Sequence, residues 1–352
     1  MLRVALILLL GWLARAHAEA LPVPAADGSA PGSGVPLGGI GTGCIDIEAD
    51  GTFGYCTAFR PVWGHGDGAD GSRMYRDRVL DEDGRVIDLK DPTRGPMNHP
   101  FLKLRVGDKQ WTLSTVKSGS DGVKSIEYWG HYPVADMEFT LDAPVQVGLR
   151  AWSPFVPGDA ERSAVPGAVF EVHLRNASGE HQKGTISLSF PGPRVRRAEL
   201  VSRRLDGIDV LKGQYVSASD GFGYVLAAIR PQQPEEIVGR QWQVSSGGSK
   251  GGGAYAAVHY ELAPRQSRIV RFVIAWYAPT WQGGWPPDKR YNSFTRMYAA
   301  RFGSAAQVAS YLAGEHRSLL RSVLAWQQVI YAEKSLPGWL RDGLVNILHL
   351  IA

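Results

Sequence analysis

Cysteine is almost absent from this chain: 352 residues contain two, Cys44 and Cys56. Two thiols can form one disulfide at most, so no cysteine framework staples the fold, and without a clustered histidine pair they make a poor zinc site. The nine histidines are scattered, with no His-Glu-x-x-His or similar ligand spacing, so neither a metal nor any other cofactor is expected. A Gly-x-Ser-x-Gly elbow is missing, which argues against an α/β-hydrolase nucleophile. A Gly-Lys-Ser/Thr phosphate loop is missing as well. Long apolar runs are scarce: the one from Val4 to Ala14 is too short to span a bilayer comfortably, and no later run is longer. Charge of one sign is scarce too, since 38 basic and 34 acidic residues leave only +4. Part of that excess is local, at Arg194, Arg196, Arg197, Arg203 and Arg204. No nucleic-acid module accompanies these arginines, so they read as a solvated strand or loop, and no nucleic-acid partner is expected.

What is present begins with an export pattern. "MLRVALILLLGWLARAHA" has a charged start, a short apolar stretch and a small-x-small cleavage site at Ala16-His17-Ala18. Residues 1–18 are therefore expected to be a signal peptide, which places the mature chain in a periplasmic or extracellular compartment. Residues 19–34 follow as a flexible lead-in rich in Pro, Gly and Ala.

From residue 35 to about 294 the dominant period is two. "VFEVHLR" sets Phe170, Val172 and Leu174 on one face and Glu171, His173 and Arg175 on the other. "TISLSF", "PVQVGLRAW", "ADMEFTL" and, more loosely, "SRIVRFVIAW" alternate in the same way. Turn signals such as Asp50-Gly51 and Gly107-Asp108 separate the runs. Roughly a dozen strands at this spacing predict a mainly β fold, a large antiparallel β-sandwich.

The stretch "LGGIGTGCIDIEADGTFGYC" opens this region. Its glycines follow coil and precede alternating residues, not a helix, so they read as close backbone approach at a bend. Two registers are open for the hairpin at Ala49-Asp50-Gly51. A three-residue loop with Gly51 left-handed sets Cys44 across from Cys56, where a disulfide is possible. A two-residue turn puts them on opposite faces. Glu127, Asp136 and Glu138 read as ordinary strand residues, and His99 and His131 as satisfied core or loop side chains. The aromatic stretch "WYAPTWQGGWPPDKRYNSF" raises the one local binding candidate: Trp281 and Trp285, in an irregular loop, either pack between domains or stack on a sugar ring.

The period changes after Thr295. Leu312, Leu319, Val323, Trp326 and Ile330 recur at helical spacing between Ala305 and about Glu333, so residues 295–335 read as a helical linker. Residues 336–352 then start another helix, apolar around most of its circumference, which predicts burial among further helices. With no C-cap signal before Ala352, the segment reads as the first helix of a helical domain whose remainder lies outside the sequence.

In order, "GVPLGGIGTG", "RGPMNHPFLKL", "IEYWGHYPVADMEF", "VPGAVFEVHLRN", "FVIAWYAP" and "LPGWLRDGLVNILHL" resemble the N-terminal part of glycoside hydrolase family 116, which holds non-lysosomal glucosylceramidases and bacterial β-glucosidases. The resemblance implies a sandwich followed by an (α/α)6 barrel, with residues 336–352 as its first helix. It also implies a retaining mechanism with a glutamate nucleophile and an aspartate acid/base. Both carboxylates lie in the family's helical domain, so no catalytic residue is carried over here, and the glycoside substrate is expected to bind there. The alternative reading is a non-catalytic carbohydrate-binding or accessory sandwich.

Overall fold

The computed structural model describes residues 21–24, 34–59, 97–116, 121–193, 200–205, 210–219, 221–231, 242–249, 252–283 and 292–351. The expected signal segment lies outside them. The early strands are β1 (Leu21–Pro24), β2 (Val35–Leu37), β3 (Ile45–Ile47), β4 (Thr52–Cys56) and β5 (His99–Pro100). Next come β6 (Leu102–Val106), β7 (Lys109–Thr112), β8 (Ser125–His131), β9 (Val134–Thr140) and β10 (Val145–Trp152). A one-turn helix α1 (Ala160–Ser163) precedes β11 (Gly167–Asn176), β12 (Gln182–Phe190), β13 (Val201–Leu205), β14 (Leu211–Ser217) and β15 (Gly223–Ile229). The last strands are β16 (Val244–Gly248), β17 (Ala254–Leu262), β18 (Ser267–Tyr277), β19 (Thr280–Gly283) and β20 (Asn292–Thr295). Helices α2 (Ala305–Tyr331) and α3 (Gly338–Asn346) follow.

The fold is mostly β, as the alternation predicts. Every strand pair among the described residues is antiparallel. A nine-stranded sheet runs β1-β8-β9-β10-β11-β18-β15-β14-β13, and a five-stranded sheet runs β16-β17-β12-β6-β7. Their facing sides form the core. Phe170, Phe272 and Tyr224 from the large sheet meet Phe190 and Tyr260 from the small one, all buried. Phe53 of β4 wedges among them, with ring centroids 4.7 Å from Phe101, 5.6 Å from Phe190 and 6.1 Å from Phe170. Such aromatic pairs add about 0.5–1.5 kcal/mol each beyond their buried area.

The large sheet is covered on its second face as well, because α2 lies across it. That is why β15, "GYVLAAI", is buried at every position instead of alternating. Helix α2 starts at Ser304, whose hydroxyl accepts from the Gln307 N–H, while Gln307 Oε1 accepts from the Gly303 N–H. Its buried stripe includes Val308, Leu312, Leu319 and Val323, at the helical spacing read from sequence. Helix α3 finds little cover among the described residues. Of its apolar residues only Val345 is buried, while Trp339 is 75% exposed.

The glycine-rich opening stretch is a bend of close backbone approach. Gly39 donates to the Val165 carbonyl, and a Cβ at residue 39 would stand 2.4 Å from the Ser163 oxygen. The hairpin loop holds three residues, with Gly51 at φ +81°. Even so, the two thiols are not bonded to one another. The loop sets Ile47 opposite Phe53, but a bulge shifts the register so that Ile45, not Cys44, faces Cys56. Cys44 instead faces Thr57: its N–H donates to Thr57 Oγ1, and its carbonyl accepts from the Thr57 N–H.

Candidate functional site

Three of the core-sheet strands carry a single charge inside an apolar run: Arg150 in "VGLRAW", Glu171 in "GAVFEV" and Arg271 in "IVRFVIAW". The registers bring them together. Asp136 faces Arg150, Arg150 faces Glu171, and Glu171 faces Arg271, one residue per strand across β9, β10, β11 and β18. The result is a row of alternating charge on the face that α2 covers. Arg150 makes a fork to Asp136, with Nε to Oδ1 and Nη2 to Oδ2 both at 2.8 Å. Arg271 Nε donates to Glu171 Oε1. Both carboxylates are buried.

The row continues into the helices through the β8–β9 turn. His131, fully buried, faces Asp136 Oδ2 through Nε2 at 3.1 Å and Gln327 Oε1 through Nδ1 at 3.2 Å. Gln327 Nε2 donates to the carbonyls of His131 at 2.7 Å and Tyr132 at 3.0 Å. Asn346 of α3 takes the same turn from the other side: its Oδ1 accepts from the Tyr132 N–H at 2.9 Å, and its Nδ2 donates to the Gly130 carbonyl at 3.2 Å. Trp326 packs edge-on against Phe155 at 5.3 Å, closing the corner. Further along α2, His316 donates from Nδ1 to the Ala313 carbonyl at 2.8 Å and lies beside Arg271.

The electrostatics follow from burial and pairing. Burial alone would raise the Asp136 carboxyl, but the Arg150 guanidinium and the His131 hydrogen bond outweigh it and hold that carboxyl well below the usual range. Burial likewise raises the Glu171 carboxyl, and Arg271 and His173 more than offset it. Burial pushes the His316 imidazole down, helped by the Arg271 charge. These carboxylates are committed to guanidinium partners and stay ionised near neutral pH. They suit a fixed joint between sheet and helices, not a proton-transferring pair.

The residues singled out from sequence fall as follows. Trp281 stands in the β19–β20 hairpin opposite Phe294, and Trp285 lies outside the described residues, as do Arg194, Arg196 and Arg197. Arg203 and Arg204 are exposed on the edge strand β13. His131 is a satisfied core histidine, and His99 bonds to Ser189 Oγ at 3.1 Å. Asp136 is not the ordinary strand residue the spacing suggested, since the row buries it in an ion pair. Gln327, Arg150 and Arg271 carry the joint, and sequence reasoning passed over them. For the two arginines the one advance signal is a lone charge within an apolar strand run, which demands a buried partner; Gln327, an uncharged helix residue, carries none. Among the described residues, no three His, Cys, Asp or Glu side chains cluster so as to hold a metal ion, and no helix is long and apolar enough to cross a membrane.

Fold and joint together define a β-sandwich domain that holds a pair of helices against its larger sheet. Residues 34–199 match the family model described as "beta-glucosidase 2, glycosyl-hydrolase family 116 N-term". Over that span, a little under half of the chain, the sequence is similar to a family 116 N-terminal domain. Among solved structures, one similar chain is named as a kojibiose phosphorylase from the human microbiome, at 9% identity and a TM-score of 0.37, covering 83% of this chain and 39% of that one. Another is a family 36 α-galactosidase, AgaB, from Geobacillus stearothermophilus, at 12% identity and a TM-score of 0.28, covering 68% and 39%. The chain thus spans about two fifths of the length of each.

Proposed function

We propose that this sandwich serves an exported glycoside hydrolase that cleaves β-glucosidic bonds with retention of configuration. The observation that carries the reading is the family 116 match over residues 34–199. The sandwich's own part is mechanical. The charged row, Gln327 and Asn346 fix helices α2 and α3 at one corner of the large sheet. A helical catalytic domain continuing from residue 336 would then start from a set position. Catalytic carboxylates separated by about 5–5.5 Å, as a retaining mechanism needs, would belong to that domain.

The test uses the whole gene product. Proton NMR of p-nitrophenyl β-glucoside cleavage should show β-glucose as the first sugar released. α-Glucose as the first product would overturn the retaining reading, and cleavage of α-glucosides alone would overturn the β-specific one. Export has its own readout: N-terminal sequencing of the protein from its native compartment should begin at Glu19.

A further inference from the structure

Strand β17 alternates, except that Ala257 on its outward side is also buried. Ala254, Ala256, Val258, Tyr260 and Leu262 enter the core, while Tyr255, His259 and Glu261 point away from it. Tyr255 is 45% exposed, on the outer face of the five-stranded sheet. Its cross-strand neighbours are Gly247 on β16 and Ser189 on β12. A Cβ placed on Gly247 would stand 2.7 Å from Tyr255 Cε1 and 3.2 Å from its Cζ and phenolic oxygen. The ring therefore lies over the bare glycine backbone, supported by the sheet, with much of its surface open to solvent. Beside it the Ser189 hydroxyl is bonded to His99 Nε2 at 3.1 Å. The next outward positions across the three strands are Ser245, Ala257 and Ser187, all small and uncharged.

We propose that this face binds a neutral oligosaccharide, with one pyranose ring stacked on Tyr255 and its hydroxyls bonded by Ser189 and His99. The ring offers a flat apolar surface to the C–H face of a sugar. A sugar hydroxyl both donates and accepts, and so do a serine hydroxyl and an imidazole. Small neighbours leave room for the units on either side. On β16, β17 and β12 the two rows around Tyr255 carry no charge, which suits a neutral glycan; Lys103 stands next in the second row, on β6, and the Lys183–Glu261 ion pair sits further along the sheet face. This surface is separate from Trp281 and Trp285 and needs no catalytic activity, so its failure would leave the hydrolytic reading untouched.

A tyrosine lying on a cross-strand glycine also stabilises a sheet simply by covering it, and the test separates the two roles. Isothermal titration of the 352-residue chain with cellohexaose, laminarihexaose and mannohexaose should show saturable binding of at least one of them. Tyr255→Leu keeps an apolar cover over Gly247 but removes the flat ring. It should weaken binding about tenfold or more, the equivalent of roughly 1.4 kcal/mol, with the melting temperature unmoved. Gly247→Val, which displaces the ring, should do the same, and Tyr255→Phe should keep most of the binding. No binding of any hexasaccharide, or binding unchanged in both Tyr255→Leu and Gly247→Val, would overturn the proposal.

Discussion

Glu171 and Arg271 are two buried charges that depend on each other. Removing one partner of a buried pair leaves the other uncompensated, at a typical cost of about 3–5 kcal/mol. Glu171→Gln should lower unfolding stability by about that amount in urea titration, whereas Glu261→Gln, in an exposed pair, should change it by less than about 1 kcal/mol. Gln327→Ala strips two carbonyls and His131 of their partner and should cost about 1–3 kcal/mol by the same assay. At this scale the sequence was half legible. Alternation put Glu171 opposite Phe170 and Val172, correctly. It could not show that α2 would bury the polar face too, because the ion-pair partner lies a hundred residues away at Arg271. The cysteines teach the same lesson. The three-residue loop with Gly51 left-handed was one of the two readings, but the bulge that moves Cys56 opposite Ile45 leaves no mark in the residue spacing.

Helix α2 was the most legible element. Of the five residues the spacing picks out, Leu312, Leu319 and Val323 are fully buried, and Trp326 and Ile330 are half-buried. Leu312→Ala should therefore cost about 2–5 kcal/mol, read as a drop in melting temperature. The stretch from residue 336 is helical, as its pattern predicts: it runs Gly338–Asn346 and continues as a 3-10 turn over Ile347–Ile351. Trp339 at 75% and Ile347 at 58% exposure, with Val329 of α2 at 74%, leave apolar surface uncovered. Such a surface promotes association. The 352-residue chain should self-associate with rising concentration in sedimentation velocity, and the double variant Trp339→Lys, Val329→Lys should stay monomeric. A wild-type chain monomeric at every concentration would contradict this.

The buried charged groups of the row also govern how the molecule responds to acid. Asp136 and Glu171 have carboxyls held below their unfolded values of about 4, so their stabilisation is complete above that pH and fades as pH falls toward the folded values. His316 is held neutral in the fold, while the unfolded chain protonates it below about 6.5, so stability begins to fall there. Both contributions have the same sign. The urea midpoint should decline from pH 7 to pH 5.5 and more steeply below pH 4; a midpoint that rises on acidification would contradict the assignment. The sandwich itself was readable from two-residue alternation, and its family from ordered motifs. The joint between sheet and helices was not, because it is assembled from residues scattered over seven elements.

On the proposed function these residues position a catalytic domain and are not one themselves, and the carboxylates buried in the large sheet, Asp136 and Glu171, are held in ion pairs with Arg150 and Arg271. Turnover of p-nitrophenyl β-glucoside by the purified 352-residue chain tests it most directly. No release of nitrophenol above a buffer control is expected. Sustained turnover that follows the chain through purification would contradict it and place a catalytic pair within these residues.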